Sequence, residues 1–206
     1  MKPALLLLLL LSSLPLLAEA PDLPGDRNYL DSLRTFWRTL YPDGGETLYC
    51  GYRFQPYDRK VNVEHVYPMN WVVRQLGCGN RNRCRRTSAR FNEIESDMHN
   101  LYPALAEVNE LRGSMPFDEI PGEHHAVAHC DFEVDLRRRR VEPRPEARGR
   151  IARAMLYMAG RYGLTLYERQ RRLLERWHRR HPPDAAERLH DRLVRRLQGV
   201  DNPFID

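Results

Sequence analysis

Val61-Asn-Val-Glu-His-Val-Tyr-Pro68 is a short β-like run that ends in a proline and sets an acidic residue, Glu64, beside a histidine, His65. The β-branched residues Val61, Val63 and Val66 favour a strand, and Pro68 marks its end. A carboxylate beside an imidazole is half of a metal-dependent hydrolytic site: oxygen to hold a cation, and a nitrogen base to take a proton from water. The complementary half lies downstream in Ile94-Glu-Ser-Asp-Met-His-Asn-Leu-Tyr-Pro-Ala-Leu-Ala-Glu-Val-Asn109, where acids, His99, Asn100 and Asn109 crowd a strand-then-helix pattern. Pro103 suits the first turn of that helix, with Asn100 or a neighbour as cap, and Gly113 stops it. On this reading Glu107 and Asn109 ride on a helix while Glu64 and His65 ride on a strand. Adjacent strand residues point to opposite faces, so the strand must end or twist at Glu64 and His65 if both are to border one site.

Around these two halves the chain alternates short elements. Before them, apolar residues at Tyr29-Leu30, Leu33, Phe36-Trp37 and Leu40 have helical spacing within Asp26 to Leu40, with Asp26 able to cap. Pro42-Asp-Gly-Gly45 breaks that helix, and Thr47 to Phe54 is rich in β-formers, predicting a strand. Between the halves, Asn70 to Leu76 reads as a short helix leading into a loop bracketed by Cys78 and Cys84. Arginines from Arg74 to Arg90 make this the densest positive patch in the first half of the chain. Three histidines gather in Gly122-Glu-His-His-Ala-Val-Ala-His129, but their spacing fits no strong metal template, and a surface loop is the better reading. Phe132-Glu-Val-Asp-Leu136 alternates like a strand, and the run Arg137 to Arg140 reads as its phosphate-facing or solvated end. The last third predicts three amphipathic helices: one begun by Pro145 and closed by Gly163, one from about Leu166 to His181, and one capped by Asp184 and stopped by Gly199.

Residues 1–20 begin Met-Lys-Pro, continue through an apolar run from Ala4 to Leu17 and end in Ala18-Glu-Ala20, the pattern of a secretory signal peptide cleaved after Ala20. The run is shorter than the ~20 residues a membrane span needs and contains a proline. Residues 21–206 suit a single domain. In an exported protein the four cysteines read as disulfides. Cys78 and Cys84 close a short loop, which pairs Cys50 with Cys130; Cys-x5-Cys is wider than common zinc-ligand spacings. The formal net charge of +5 rests almost wholly on arginine, whose planar fork binds phosphate bidentately. Such a balance points to a polyanionic partner: nucleic acid, anionic lipid or acidic polysaccharide.

Taken in order, Glu64-His-Val-x-Pro68, Glu95-Ser-Asp-Met-His-Asn-Leu-Tyr-Pro-Ala-Leu-Ala-Glu-Val-Asn109, Arg150-Ile-Ala-Arg-Ala-Met-Leu-Tyr-Met158 and Asn202-Pro-Phe resemble the endonuclease I family of periplasmic and secreted ββα-metal (His-Me finger) nucleases. The resemblance spans most of the mature chain. It implies an α+β fold, a mainly helical single domain over 21–206 built around the ββα-metal motif. It also implies a general base at His65, metal ligands at Glu64 and Asn109, an arginine on the scissile phosphate at Arg81, and a leaving-group acid at Glu95. Asn100 is the rival ligand to Asn109; otherwise His99 and Asn100 support the site. Arg83, Arg85 and Arg86 would add nucleic-acid contacts. Two oxygen ligands completed by water suit one Mg²⁺ ion, with Mn²⁺ or Ca²⁺ able to substitute in binding. The expected protein is a monomeric endonuclease of the periplasm or the medium, free of the membrane after signal cleavage. It would cut DNA and RNA with little sequence preference, because phosphate contacts read no bases. The alternative is a non-catalytic secreted module that binds nucleic acid or another polyanion through the same basic faces.

Overall fold

The computed structural model describes residues 28–122 and 124–205; the signal peptide assigned to residues 1–20 and the Asp26 cap lie outside them. Helix α1 (Tyr29–Thr35) is capped instead by Asn28, whose side chain accepts from the Leu30 N–H, and it runs into a π-helical turn at Phe36–Leu40. The expected strand over Thr47 to Phe54 is not formed. Two-residue strands β1 (Gly45–Glu46) and β2 (Arg53–Phe54) pair antiparallel, and the stretch between them turns at Gly51, φ 64°. The β-formers Leu48 and Tyr49 are buried there by tertiary contacts, not by a ladder; β-propensity reports a liking for half-buried surface and did not fix the backbone here.

Strand β3 (Val61–His65) pairs antiparallel with β4 (Leu101–Leu105), Glu64 opposite Tyr102 and Val63 opposite Pro103. Pro103 therefore sits in a strand, not in the first turn of a helix. It is tolerated because a strand in a two-stranded ribbon has one unpaired edge, where a missing N–H costs nothing. Helix α5 (Ala106–Arg112) follows directly, so Asn109 is helical as expected. Glu93 and Glu95 belong to another helix, α4 (Ala89–Glu95), capped by Ser88, and a 3-10 turn at Met98–Asn100, capped by Asp97, joins it to β4. Between β3 and α4 stand α2 (Met69–Leu76), ended by Gly77 in the left-handed region, and α3 (Arg81–Thr87), capped by Asn80. The expected Cys78–Cys84 loop is thus half helix.

Strands β5 (His125–Val127), β6 (Cys130–Asp135) and β7 (Arg140–Pro143) form an antiparallel sheet, so part of the expected histidine loop is a strand. Helices α6 (Pro145–Tyr162), α7 (Glu168–Arg180) and α8 (Ala185–Gln198) follow with the expected Pro145 start, Asp184 cap and glycine stops. α6 is the spine: Ile151, Ala154, Met155 and Met158 are buried against Leu173, Leu174 and Trp177 of α7 in the same core that holds Val66, Tyr67 and Ile94. Disulfides join Cys50 to Cys130 and Cys78 to Cys84. Among the described residues no helix is long and apolar enough to cross a membrane.

Candidate active site

β3 stops at His65 because the chain is taken over by Asn100. The Asn100 carbonyl accepts from the Val66 N–H at 3.0 Å, its side-chain oxygen accepts from the Tyr67 N–H at 2.6 Å, and its amide donates to the Tyr67 carbonyl at 3.0 Å. Through these bonds Asn100, a buried side chain, braces the exit of β3. Ending the strand here lets neighbours that alternate along β3 share one cleft. Glu64, His65, Arg81, Asn109, Asn70 and Ser114 line it, and its volume is about 160 Å³.

Glu64 lies on the cleft floor, 4% exposed. Its Oε1 accepts from the Tyr49 hydroxyl at 2.5 Å and from Arg112 Nη1 at 2.8 Å. Arg112 is wholly buried and also donates to the carbonyls of His65 and Val66, so one guanidinium fastens the carboxylate to the strand that carries it. Burial pushes the Glu64 carboxyl above its ordinary value, while Arg112 and Tyr49 pull it back. Both side-chain donors fall on Oε1. A buried carboxylate whose ionisation is only partly compensated is where a cation gains most.

His65 donates from Nε2 to the Glu95 carbonyl oxygen at 3.0 Å. A carbonyl only accepts, so the proton is on Nε2 and Nδ1 carries the lone pair. Burial, helped by the guanidiniums of Arg81, Arg85 and Arg112, pulls the imidazole down to about 3 and keeps it neutral. The Tyr29 ring rests against it with centroids 5.1 Å apart. Across the cleft, Asn109 donates from Nδ2 to Asn62 Oδ1 at 2.8 Å and to the Val63 carbonyl at 3.3 Å. That orientation, assigned from the hydrogen-bond network, leaves Oδ1 as the amide's remaining polar atom. Glu64 and Asn109 are thus hard oxygen donors around one cleft, the donor type that Mg²⁺ and Ca²⁺ take.

Helical geometry in α3 places Arg81 and Arg85, four apart, on one face. Both reach Glu95: Arg81 Nε at 2.5 Å, and Arg85 through Nε and Nη2 at 2.7 and 2.8 Å. The two guanidiniums also stack over the Tyr29 ring, 5.3 and 5.1 Å from its centroid. Arg83 and Arg86 are exposed. The Glu95 side chain is fully buried against the two guanidiniums, and its backbone carbonyl touches His65. His99 donates to the Val200 carbonyl at 2.9 Å and faces Asp191, a supporting place.

Tyr49, Arg112 and Tyr29 were not legible as site residues. Arg112 is followed by Gly113 and looks like an ordinary basic helix end; only the return of β3 beneath α5 buries it. Tyr29 falls on the apolar stripe of α1 and reads as core. The histidines His124, His125 and His129 do not line the cleft.

Residues 26–206 match the family model described as Endonuclease I. The chain is 38% identical over 215 residues to an extracellular deoxyribonuclease of Aeromonas hydrophila, covering 92% of this chain and 94% of that protein. It is 42% identical over 151 residues to a periplasmic deoxyribonuclease of the same organism, covering 71% of this chain and 63% of that protein. An extracellular ribonuclease of Bacillus subtilis is 30% identical over 129 residues, 54% of this chain and 43% of that protein.

Proposed function

This chain belongs to the endonuclease I family, and on that footing we propose that it is an exported nuclease that hydrolyses phosphodiester bonds of DNA, and of RNA, with His65 as general base and one Mg²⁺ ion at Glu64 and Asn109. β3, β4 and α5 are read as the ββα-metal motif. The relatives are named as extracellular and periplasmic deoxyribonucleases, with an extracellular ribonuclease among them. Their names support export and a nucleic-acid substrate; residues 1–20 are assigned as the signal peptide, and the mature chain 21–206 as one monomeric nuclease domain.

The observation that carries the mechanism is the bond from His65 Nε2 to the Glu95 carbonyl. It commits one ring nitrogen as donor and leaves Nδ1 to accept a proton from water, which is what a general base needs. Burial holds the free ring neutral, so Nδ1 carries its lone pair. Held by Glu64 and Asn109, Mg²⁺ would supply positive charge for the phosphate. Arg81 lines the same cleft and is placed to neutralise a phosphate, positioned by Glu95 from behind. Glu95, bonded by both Arg81 and Arg85, is assigned as a positioning residue that aims Arg81 and, through its carbonyl, His65. Arg83, Arg85 and Arg86 extend the phosphate-binding face; contacts of this kind position a strand without reading bases.

The test is nicking of plasmid DNA and cleavage of an RNA by the purified mature chain, in Mg²⁺ and in EDTA. Cleavage in Mg²⁺, none in EDTA, and a loss of about 10²–10⁴-fold in His65→Ala with binding retained is the expected result. Binding without any cleavage in Mg²⁺ would mean a polyanion-binding module instead. Undiminished cleavage by His65→Ala would overturn the assignment of the base.

A further inference from the structure

The histidine-rich hairpin does not border the catalytic cleft, yet its register builds a second cluster. His125 on β5 lies directly opposite Glu133 on β6. Asp131 lies within the register irregularity that separates the His125–Glu133 and Val127–Cys130 pairs, and it too approaches His125. One ligand atom from each of the three lies within 4.8 Å of the others. His125 Nε2 stands 3.7 Å from Asp131 Oδ1 and 3.8 Å from Glu133 Oε1. Both separations are too long for hydrogen bonds. They are close to the ~3.3–3.4 Å edge that nitrogen and oxygen ligands describe around a tetrahedral ion with bonds of about 2.0–2.1 Å. A small closure of the two half-exposed side chains, His125 and Asp131, onto the buried Glu133 would complete three legs of that tetrahedron.

Acidic side chains gather on this part of the hairpin. Glu133 also lies directly opposite Glu142 on β7, and both are buried. Like charges facing each other across strands are destabilising. Arg148 donates to Glu142 at 2.6 Å, and Glu133 faces His125.

From this geometry we propose that His125, Asp131 and Glu133 form a second metal site, separate from the catalytic cleft, that takes a divalent transition cation of the zinc type with water as fourth ligand. Imidazole selects zinc-like ions over Mg²⁺ and Ca²⁺, which prefer oxygen donors alone. The role is structural: the site ties β5 to β6 immediately beside Cys130, whose disulfide partner Cys50 follows the Tyr49 that holds Glu64.

The experiment uses zinc alone, titrated into the mature protein against a chromophoric chelator, with the melting temperature read in parallel. Glu64→Gln serves as the background in which the catalytic cleft is disabled as a competing site. The expected result is one zinc per chain in both the wild type and Glu64→Gln, with a rise in melting temperature. His125→Ala and Glu133→Gln should each weaken binding by at least about 100-fold, since even outer-shell partners of metal ligands are worth 10–100-fold. Mg²⁺-dependent cleavage by His125→Ala should be unchanged, which shows that the variant is folded. No zinc uptake by the wild type, or uptake that survives in both His125→Ala and Asp131→Asn, overturns the site. Because the readout is metal binding, this result is independent of whether the chain cleaves nucleic acid.

Discussion

Arg112 is the residue whose chemistry is most at odds with its place in the chain. It is a cation at a helix end that is wholly buried, spending its donors on the Glu64 carboxylate and on two carbonyls of the β3 exit. Its cost and its use share one cause: a buried charge is stable only when paired and hydrogen-bonded, and once paired it cannot move. Arg112→Met keeps the length of the side chain and removes the charge, leaving Glu64 buried beside a neutral neighbour. We expect a loss of about 3–5 kcal/mol in urea unfolding, together with weakened cleavage. If stability drops by less than about 1 kcal/mol, a typical hydrogen-bond contribution, Arg112 does not fasten the strand. Glu95 follows the same logic. Its two arginines make it an anchor, and its peptide carbonyl, which no side-chain pattern could flag, is the atom that orients His65.

Among the elements, the two disulfides do different work. Cys78–Cys84 closes a separation of 6 residues and Cys50–Cys130 one of 80. In the chain-entropy account this corresponds to roughly 2 against 4 kcal/mol of unfolded-state constraint. Replacing the pair Cys50 and Cys130 by serine should therefore lower the denaturant midpoint markedly more than replacing Cys78 and Cys84. The short bridge instead brackets the start of α3, where Arg81 lies, so its loss should appear chiefly in cleavage; equal stability losses from the two would refute this division. Helix α8 adds a pH dependence. His190 donates to the Met98 carbonyl at 3.1 Å and stacks on Tyr102, and burial pulls it from its ordinary 6.5 to about 3. The unfolded chain takes up a proton below 6.5 that the folded chain refuses. Stability is therefore full above that pH and falls as pH drops from 6.5 toward 3. His190→Gln should flatten the slope of unfolding free energy in that range by about 1.4 kcal/mol per pH unit, one proton's worth. An unchanged slope would show that His190 is not one of the histidines responsible.

For the molecule as a whole, a net charge of +5 carried almost entirely by arginine governs encounter with a polyanion. Arginines bound internally cannot also release counterions. Arg153 is buried against Glu187, whereas Arg83 and Arg86 stand exposed on α3. Duplex binding measured without metal should fall linearly on a log–log plot against salt. Arg83→Gln and Arg86→Gln should each reduce the slope by about 0.9, the value for one phosphate contact on duplex DNA. Arg153→Gln should leave the slope alone and lower stability, because its charge is satisfied inside. A slope insensitive to both α3 variants would move the nucleic-acid face elsewhere.

Local rules were enough to read the β3 run, the asparagine on α5, the three C-terminal helices with their Pro145, Asp184 and glycine punctuation, and the ordered motifs of the endonuclease I family. Each depends on a spacing or on a residue with a fixed backbone preference. They misread Thr47 to Phe54, where β-formers are buried in a turn, and Pro103, which an edge strand tolerates as readily as a helix start does. They were blind to Tyr49 and Arg112 around Glu64, to the guanidinium clamp on Glu95 and to the carbonyl that sets the tautomer of His65. The reason is that burial of a charge and the direction of a peptide carbonyl depend on segments 15 to 48 residues apart meeting in space, and no periodicity in one segment encodes what another will bring to it.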